Sequence, residues 1–337
     1  MNETKTLEKK ISVIVPHVRG DYPYVEDPRV HNFHWLVDSL TRQDFPASDF
    51  ELVLPDTLFE SRKDYFRDHP QPFAVKHVPK KQTPWTRLGF CDISSGYNTG
   101  LIHADGELTL HLSSGCEFGP DLLRRCWEWH EAGRAVGILY DRKAGDSIVW
   151  QDGRREHVFG SGGKYFFDAP VKPFTSKTLF YQSFYGHQSV PLSACFKVNG
   201  YDELCDGTKG WNDVQFGVRL SKSGMNFVHD ESIELVEHAH MDPGLPNCIK
   251  PDCHASRWQV FNEVRNEIMS FRTLDPDVSP EANRHPMPRW VYDVICKLTE
   301  KRGGEIPPWS ETYLDEGLAF DLKNLWLERR RRDGLNA

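Results

Sequence analysis

Three groups of side chains have types and spacing that could do chemistry. Asp213 stands at the start of a helical stretch, two residues after Trp211. A single well-placed carboxylate there can take a proton from an attacking hydroxyl, and a helix N-terminus favours its negative charge. The plainer use of an acid at that position is to begin the helix. Asp56 follows the apolar run Phe50 to Leu54 and Pro55. It can accept a hydrogen bond from a base N–H or a ribose hydroxyl, or it can simply turn the chain. His238 and His240 are two apart on a candidate strand, so their rings share a face and could bind one ion, or they are ordinary loop histidines. Cys248, Cys253 and His254 lie close behind them. A tetrahedral zinc site is a further reading of that cluster, although the spacing is not that of a two-pair knuckle.

Those residues need elements to hold them. Ile11 to Val15 reads as a strand buried on both faces, closed by Pro16, which lacks an N–H. Val30, Phe33, Leu36, Val37 and Leu40 recur at helical spacing, with Asp27 and Pro28 as the start and Gln43 to Pro46 as the stop. Phe50 to Leu54 is a second strand, Phe73 to Val78 a third and Gly106 to Leu112 a fourth. The spacing predicts helices over Ile93 to His103 and Gly119 to His130, then a fifth strand over Val136 to Tyr140. Strand and helix alternate, so the fold class is α/β with a mostly parallel sheet covered on both faces. In such a sheet, ligands bind beyond the carboxyl ends of the strands. His17, Asp56 and the segment Ser113 to Glu117 all follow strands and should gather at one edge. From 145 to 185 the pattern breaks and reads as long loops suited to an acceptor. The run Gly160 to Gly163 there lacks the ending of a phosphate loop. Order returns at Ser193 to Val198. A helix spans Trp211 to Ser223 before Gly224, strands follow between Phe227 and Val236, and residues after about 256 are helical and charged.

With 337 residues and 39% hydrophobic side chains, the chain can bury a sizeable core. Its net charge of −8 argues against a surface built to neutralise many phosphates. Arg329 to Arg332 is a basic run whose simplest reading is a solvated helix end. The start of the sequence has no signal-type apolar stretch, and no run is long enough to span a membrane. The eight cysteines are scattered rather than framed as disulfides. A reducing cytoplasm is therefore the expected setting.

Several short segments, in order, resemble the family 2 glycosyltransferases and their GT-A relatives. They are Ile11-Ser-Val-Ile-Val-Pro16, Ser39 to Pro46, Glu51-Leu-Val-Leu-Pro-Asp56, Asn98-Thr-Gly100 with Ala104-Asp-Gly-Glu107, and Val198-Asn-Gly-Tyr-Asp-Glu203 followed by Trp211-Asn-Asp213 and Arg219-Leu220. The resemblance covers roughly residues 10–240. It implies a GT-A fold, with the donor half at about 10–140, the acceptor half at about 141–255 and a helical extension over 256–337. It implies a UDP- or GDP-sugar donor and inversion at the transferred carbon, with Asp213 as the base. Pro16, His17, Asp56, Asn98, Ser113, Ser114, Gly115 and Trp211 then fall at the donor site, while Asp202 and Glu203 shape it. The acceptor stays open, and nothing in the sequence excludes a nucleic acid.

One departure from the family pattern is large. Ser113 and Gly115 stand where the family carries the two acids that hold Mn²⁺ or Mg²⁺ on the donor diphosphate. The resemblance then leaves Glu117, from a shifted register, and His238 and His240 as metal candidates. Metal-free binding of the diphosphate is the other outcome. Tyr97 also replaces a family arginine, which leaves Arg87 and Lys164 as candidates for compensation. A catalytically inactive GT-A-fold binding module, and a nucleotidyltransferase on a related sheet, are the alternative functions.

Overall fold

In a computed structural model of the chain, the described residues are 7, 9–16, 33–57, 59–81, 93–138, 142–149, 155–157, 187–206, 212–228, 230, 232–241, 260–261, 263–265, 267–268, 289–306 and 321–335. The strands are β1 (Lys9–Ile14), β2 (Phe50–Asp56), β3 (Ala74–Pro79), β4 (Gly106–His111), β5 (Cys116–Phe118), β6 (Ala135–Ile138), β7 (Arg142–Val149), β8 (Arg155–His157), β9 (His187–Pro191), β10 (Phe227–Val228) and β11 (Leu235–Met241). The helices are α1 (Phe33–Thr41), α2 (Phe59–Arg62), α3 (Tyr65–Asp68), α4 (Ile93–His103), α5 (Leu122–Glu131), α6 (Leu192–Lys197), α7 (Asn212–Lys222), α8 (Arg289–Lys301) and α9 (Leu322–Arg332).

Seven strands form the main sheet in the order β10-β6-β9-β4-β1-β2-β3. All neighbours are parallel except β9, which runs antiparallel to β4 and to β6. The sheet is therefore the mostly parallel α/β sheet the sequence predicts. Side chains one residue apart face opposite ways, and the burial follows that rule. Ile11, Val13 and Val15 enter one core with Leu36 and Leu40 of α1 and Leu122 and Leu123 of α5. Ile14 and Val53 enter the other with Leu101, Phe216, Leu220 and Trp326. Helix α4 lies very close to β1 because two glycines four residues apart face it. A Cβ on Gly100 would stand 2.2 Å from Cγ2 of Ile14, and one on Gly96 2.7 Å from Cβ of Pro16.

The structure departs from the sequence reading at several elements. Residues 142–149 and 155–157, largely inside the segment read as loops, are strands of a second sheet ordered β5-β11-β7-β8. Ser193 to Lys197 belongs to a short helix, and the ordered strand before it begins at His187. The basic run is not a solvated helix end: Arg329 and Arg330 are each 3% exposed, and only Arg331 and Arg332 face solvent. Arg329 bonds Asp105 at 2.7 Å and the carbonyls of Ile102 and Ala104, and Arg330 and Lys76 bond the same carboxylate. Lys76 also reaches Glu51 at 2.7 Å. Burial by itself would raise the Asp105 pKa, but the bonds from Arg329 and Lys76 outweigh it and hold the group at about 2. Trp326 donates to the carbonyl of Ala104 at 2.7 Å. Helix α9 thus closes the amino-terminal edge of the sheet with buried charge as well as apolar contact. Asp27 and Pro28, the segment 276–288 and Pro307-Pro308 lie outside the described residues.

Candidate functional site

The carboxyl ends of β1, β2, β3, β4 and β6 meet at the opposite edge, and β9 brings its first residues, His187 and Gln188, to the same place. Gln188 pairs with His111 on one side and Gly137 on the other. Its side-chain amide donates to the backbone carbonyl of Asp213 at 3.0 Å. That bond sets the first turn of α7 over the ends of β4 and β9. Within the turn, the Asp213 carboxylate accepts the N–H of Val214 at 2.8 Å. Asp213 is half-buried.

Asp56 ends β2. It is 2% exposed, with His77 Nε2 at 2.9 Å and Arg62 at 3.5 Å from its two oxygens. Phe59 and Phe66 set their edges against the His77 ring. Asp56 therefore sits in a pocket of polar and aromatic side chains rather than alone in a turn. In the order β9-β4-β1-β2, three strand spacings separate Gln188 from Asp56, about 14 Å. A long ligand laid across the strand ends would pass Pro16 after β1 and Ser113 after β4 on the way. Pro16 is buried against Gly96.

Several motif residues brace this edge from behind. Asn98 is fully buried, and its carboxamide is spent within the protein. It accepts the N–H of Tyr201 at 2.8 Å and donates to the Tyr201 carbonyl and to Glu203. Asn98 is thus a brace between α4 and the turn at 199–203. Asp202 accepts from Gln215 at 2.7 Å, and Arg219 donates to the carbonyls of Val198 and Gly200. Asn199 and Gly200 take positive φ, 57° and 68°, and the Asn199 carboxamide caps α9 by accepting the N–H of Leu322. Asp206 accepts the N–H groups of Ser94 and Ser95 at the start of α4. Tyr97, Tyr201, His111 and Phe216 stack in the interior between these elements. Burial lowers the His111 pKa to about 3, which keeps that ring neutral at physiological pH.

Ser113, Ser114 and Gly115 form the turn between β4 and β5. Sγ of Cys116 lies 3.0 Å from Nε2 of His187 and 3.2 Å from Oγ of Ser113. Glu117 is on the other side of β5 from Cys116, and its carboxylate lies 3.9 Å from Arg42, just past the end of α1. β11 runs antiparallel to β5, with Glu237 opposite Cys116, so the register continued by one residue sets His238 abreast of Gly115. The pairing of β11 with β7 is irregular between His238 and His240. Among the described residues, no three His, Cys, Asp or Glu side chains cluster closely enough to hold an ion. A hard cation such as Mn²⁺ or Mg²⁺ needs several charged oxygens, and this turn offers hydroxyls and a thiol. The Glu117 carboxylate lies on the Arg42 side of β5. The side chains of His238 and His240, and all of His17, Arg87, Lys164, Trp211, Cys248, Cys253 and His254, lie outside the described residues.

Two residues of this site were missed from the sequence, His187 and Gln188. They fall between the segment 145 to 185 and the order read from Ser193, and His187-Gln-Ser-Val-Pro191 carries no apolar alternation to mark it as a strand.

Among solved structures, the chain is similar to S. aureus TarS 1-349 in complex with UDP-GlcNAc, with a TM-score of 0.51 and 14% identity over 95% of this chain and 79% of that one. It is also similar to the mannosyltransferase PcManGT from Pyrobaculum calidifontis in complex with GDP-Man and Mn²⁺, with a TM-score of 0.46 and 13% identity over 97% and 81%. No protein-family model and no curated protein matches the sequence. At 14% identity, the likeness to TarS shows the fold alone: the chain has the GT-A-like fold of glycosyltransferases.

Proposed function

We propose that the chain transfers a sugar from a UDP- or GDP-sugar to an acceptor hydroxyl, with inversion and with Asp213 as the base. The carrying observation is the bond from Gln188 to the Asp213 carbonyl. It ties the start of α7 to the first residues of β9, three strand spacings from the buried Asp56 pocket. On this reading the nucleoside lies toward Asp56 and the diphosphate crosses the Ser113 to Gly115 turn. The sugar reaches the α7 N-terminus. The acceptor oxygen attacks the anomeric carbon as its proton passes to Asp213. The bond to the diphosphate breaks on the opposite face and its electron pair leaves with the nucleoside diphosphate. The transition state has oxocarbenium character. The turn supplies no charged oxygens, so the mechanism assigns no step to a hard cation.

We assign residues 1–255 to the transferase domain and 256–337 to a helical extension whose last helix docks on it. The cytoplasm is the proposed setting. The test is a screen of UDP- and GDP-sugars by thermal shift and by release of nucleoside diphosphate in the presence of mixed acceptors. Asp213→Asn should keep nucleotide-sugar binding and lose turnover at least a hundredfold, the usual contribution of a positioned base. A chain that binds no nucleotide sugar, or an Asp213→Asn variant that turns over normally, refutes the reading.

A further inference from the structure

We propose that helix α9 sets the position of the acid at the start of α7, and that Asn199 is the positioning residue through which it does so. Asn199 lies just past the end of α6. Its N–H returns to the Phe196 carbonyl at 3.0 Å and that of Gly200 to Cys195 at 2.9 Å, a helix end that needs a left-handed residue. Asparagine tolerates that conformation, and its φ here is 57°. The turn leaves the Asn199 carboxamide facing another helix. The first N–H groups of a helix have no partner within it. In α9, Asp321 accepts the N–H of Asn324 at 3.0 Å and Asn199 accepts that of Leu322 at 2.9 Å. Leu322 is fully buried, and its Cδ2 lies 3.0 Å from where a Cβ on Gly200 would stand. The amino end of α9 is therefore seated on the Asn199-Gly200 turn.

The same turn holds α7. Arg219 donates to the carbonyls of Val198 and Gly200 at 2.6 and 2.7 Å, and Gln215, in the first turn of α7, donates to Asp202 at 2.7 Å. Leu322 and Trp326 of α9 share one core with Val214, Phe216, Val218 and Leu220 of α7. Further along α9, Trp326 and Arg329 fix the helix to the Ala104 carbonyl and to Asp105. Helix α9 thus spans from the amino-terminal edge of the sheet to the turn that flanks α7, and the Asn199 bond ties it there. Asp213 stands two residues before Gln215. A slack turn lets its carboxylate drift, and misplacement by about 1 Å costs on the order of a hundredfold in rate. The effect on turnover rests on the proposed sugar transfer; the tie between α9 and α7 does not.

The experiment compares two variants of the full chain. Asn199→Gly keeps the left-handed backbone and removes only the carboxamide, whereas Asn199→Asp keeps an acceptor for the Leu322 N–H. Native-state hydrogen exchange reads the tie directly. Asn199→Gly should speed exchange of the α7 amides about tenfold, the worth of one hydrogen bond, and leave β1 and β2 as in the parent. Its kcat should fall about tenfold while the Kd for the nucleotide sugar stays within about twofold. Asn199→Asp should restore both, and Arg332→Ala, exposed on the same helix, should change neither. Unchanged exchange in α7, exchange raised equally in β1 and β2, a kcat kept by Asn199→Gly, or a loss that Asn199→Asp does not restore overturns the proposal and leaves Asp213 as the base. A parent chain that turns over no nucleotide sugar refutes the sugar-transfer reading instead, and the positioning role falls with it even where exchange responds.

Discussion

Asp105→Asn keeps the shape of the side chain and removes the charge that two buried arginines and the half-buried Lys76 share. Asp105 holds Arg329, Arg330 and Lys76 at the amino-terminal edge of the sheet, and its side chain is 3% exposed. Its pKa falls from an ordinary value of about 3.9 to about 2. Two units correspond to about 2.5 kcal/mol of stability. The folded value is the lower one, so that stability is present above pH 4 and is lost as pH falls through 2. The substitution also leaves Arg329 and Arg330 buried beside a neutral amide. Breaking a buried pair from one side costs about 3–5 kcal/mol, and part of that is offset because Arg329 keeps two carbonyls and Lys76 keeps Glu51. The expected loss at pH 7 is therefore about 3 kcal/mol. Urea unfolding of parent and variant at pH 7, 5 and 3 measures it. The gap should narrow by about 1 kcal/mol between pH 7 and pH 3, as the carboxyl takes up its proton in the unfolded parent chain while the folded one stays ionised. Arg332→Ala, one turn on and 72% exposed, should change stability by less than about 0.5 kcal/mol. A gap that stays constant or widens toward pH 3, or a loss at pH 7 no larger than that of Arg332→Ala, refutes the account of α9 as an electrostatic closure.

Gly200→Ala should cost about 3 kcal/mol, from its φ of 68° and from a Cβ 2.4 Å from Oδ1 of Asn98. Gly133→Ala, at φ 71° with open space around it, should cost only about 1 kcal/mol, and equal losses in denaturant titrations would remove the role of the Asn98 brace. Gln188→Ala unties the α7 start from the strand ends, so it should lower kcat while the affinity for the nucleotide sugar stays within about twofold. A selective rise in donor Kd with kcat unchanged would place Gln188 elsewhere in the scheme.

The main sheet was legible because its strands are buried on both faces. Ile11 to Val15 and Phe50 to Leu54 are continuous apolar runs, and α4 was bounded correctly at Ile93 and His103. The second sheet was not legible. Arg142 to Val149 holds a lysine, an arginine and an aspartate in eight residues, so no period of two stands out. It is a strand because β11 and β8 supply its partners, and those pairings are long-range facts. The same holds for Arg329 and Arg330. Four arginines in a row read as solvated, and only the buried Asp105, 224 residues before Arg329, reverses that reading. At the site, Asp56 and the Ser113 turn could be placed by the rule that ligands gather at strand ends. His187 could not, because it reaches that edge only by way of an antiparallel strand hidden in irregular sequence.

The segments that carry the family resemblance divide by what they touch. Asn98, Asp202, Arg219 and the Asn199-Gly200 turn bond to one another, to α7 and to α9, and face the protein interior. Their chemistry is fixed by the packing of this fold, whatever ligand the fold serves. Ser113, Gly115 and Tyr97 are the positions that depart from the pattern, and they are the ones assigned to metal and phosphate. Tyr97 has become part of the interior, stacked 4.5 Å from Tyr201 and donating to the Leu112 carbonyl. A cation at that position would lose hydration without a partner among those rings. The edge therefore differs together with its backing: aromatic stacking behind β4, and a thiol and an imidazole in front of it. Restoring the two acids alone, as Ser113→Asp and Gly115→Asp, should therefore not create a tight Mn²⁺ site without a donor diphosphate, as calorimetric titration with Mn²⁺ would check, because the thiol and imidazole beside the turn add no charged oxygen.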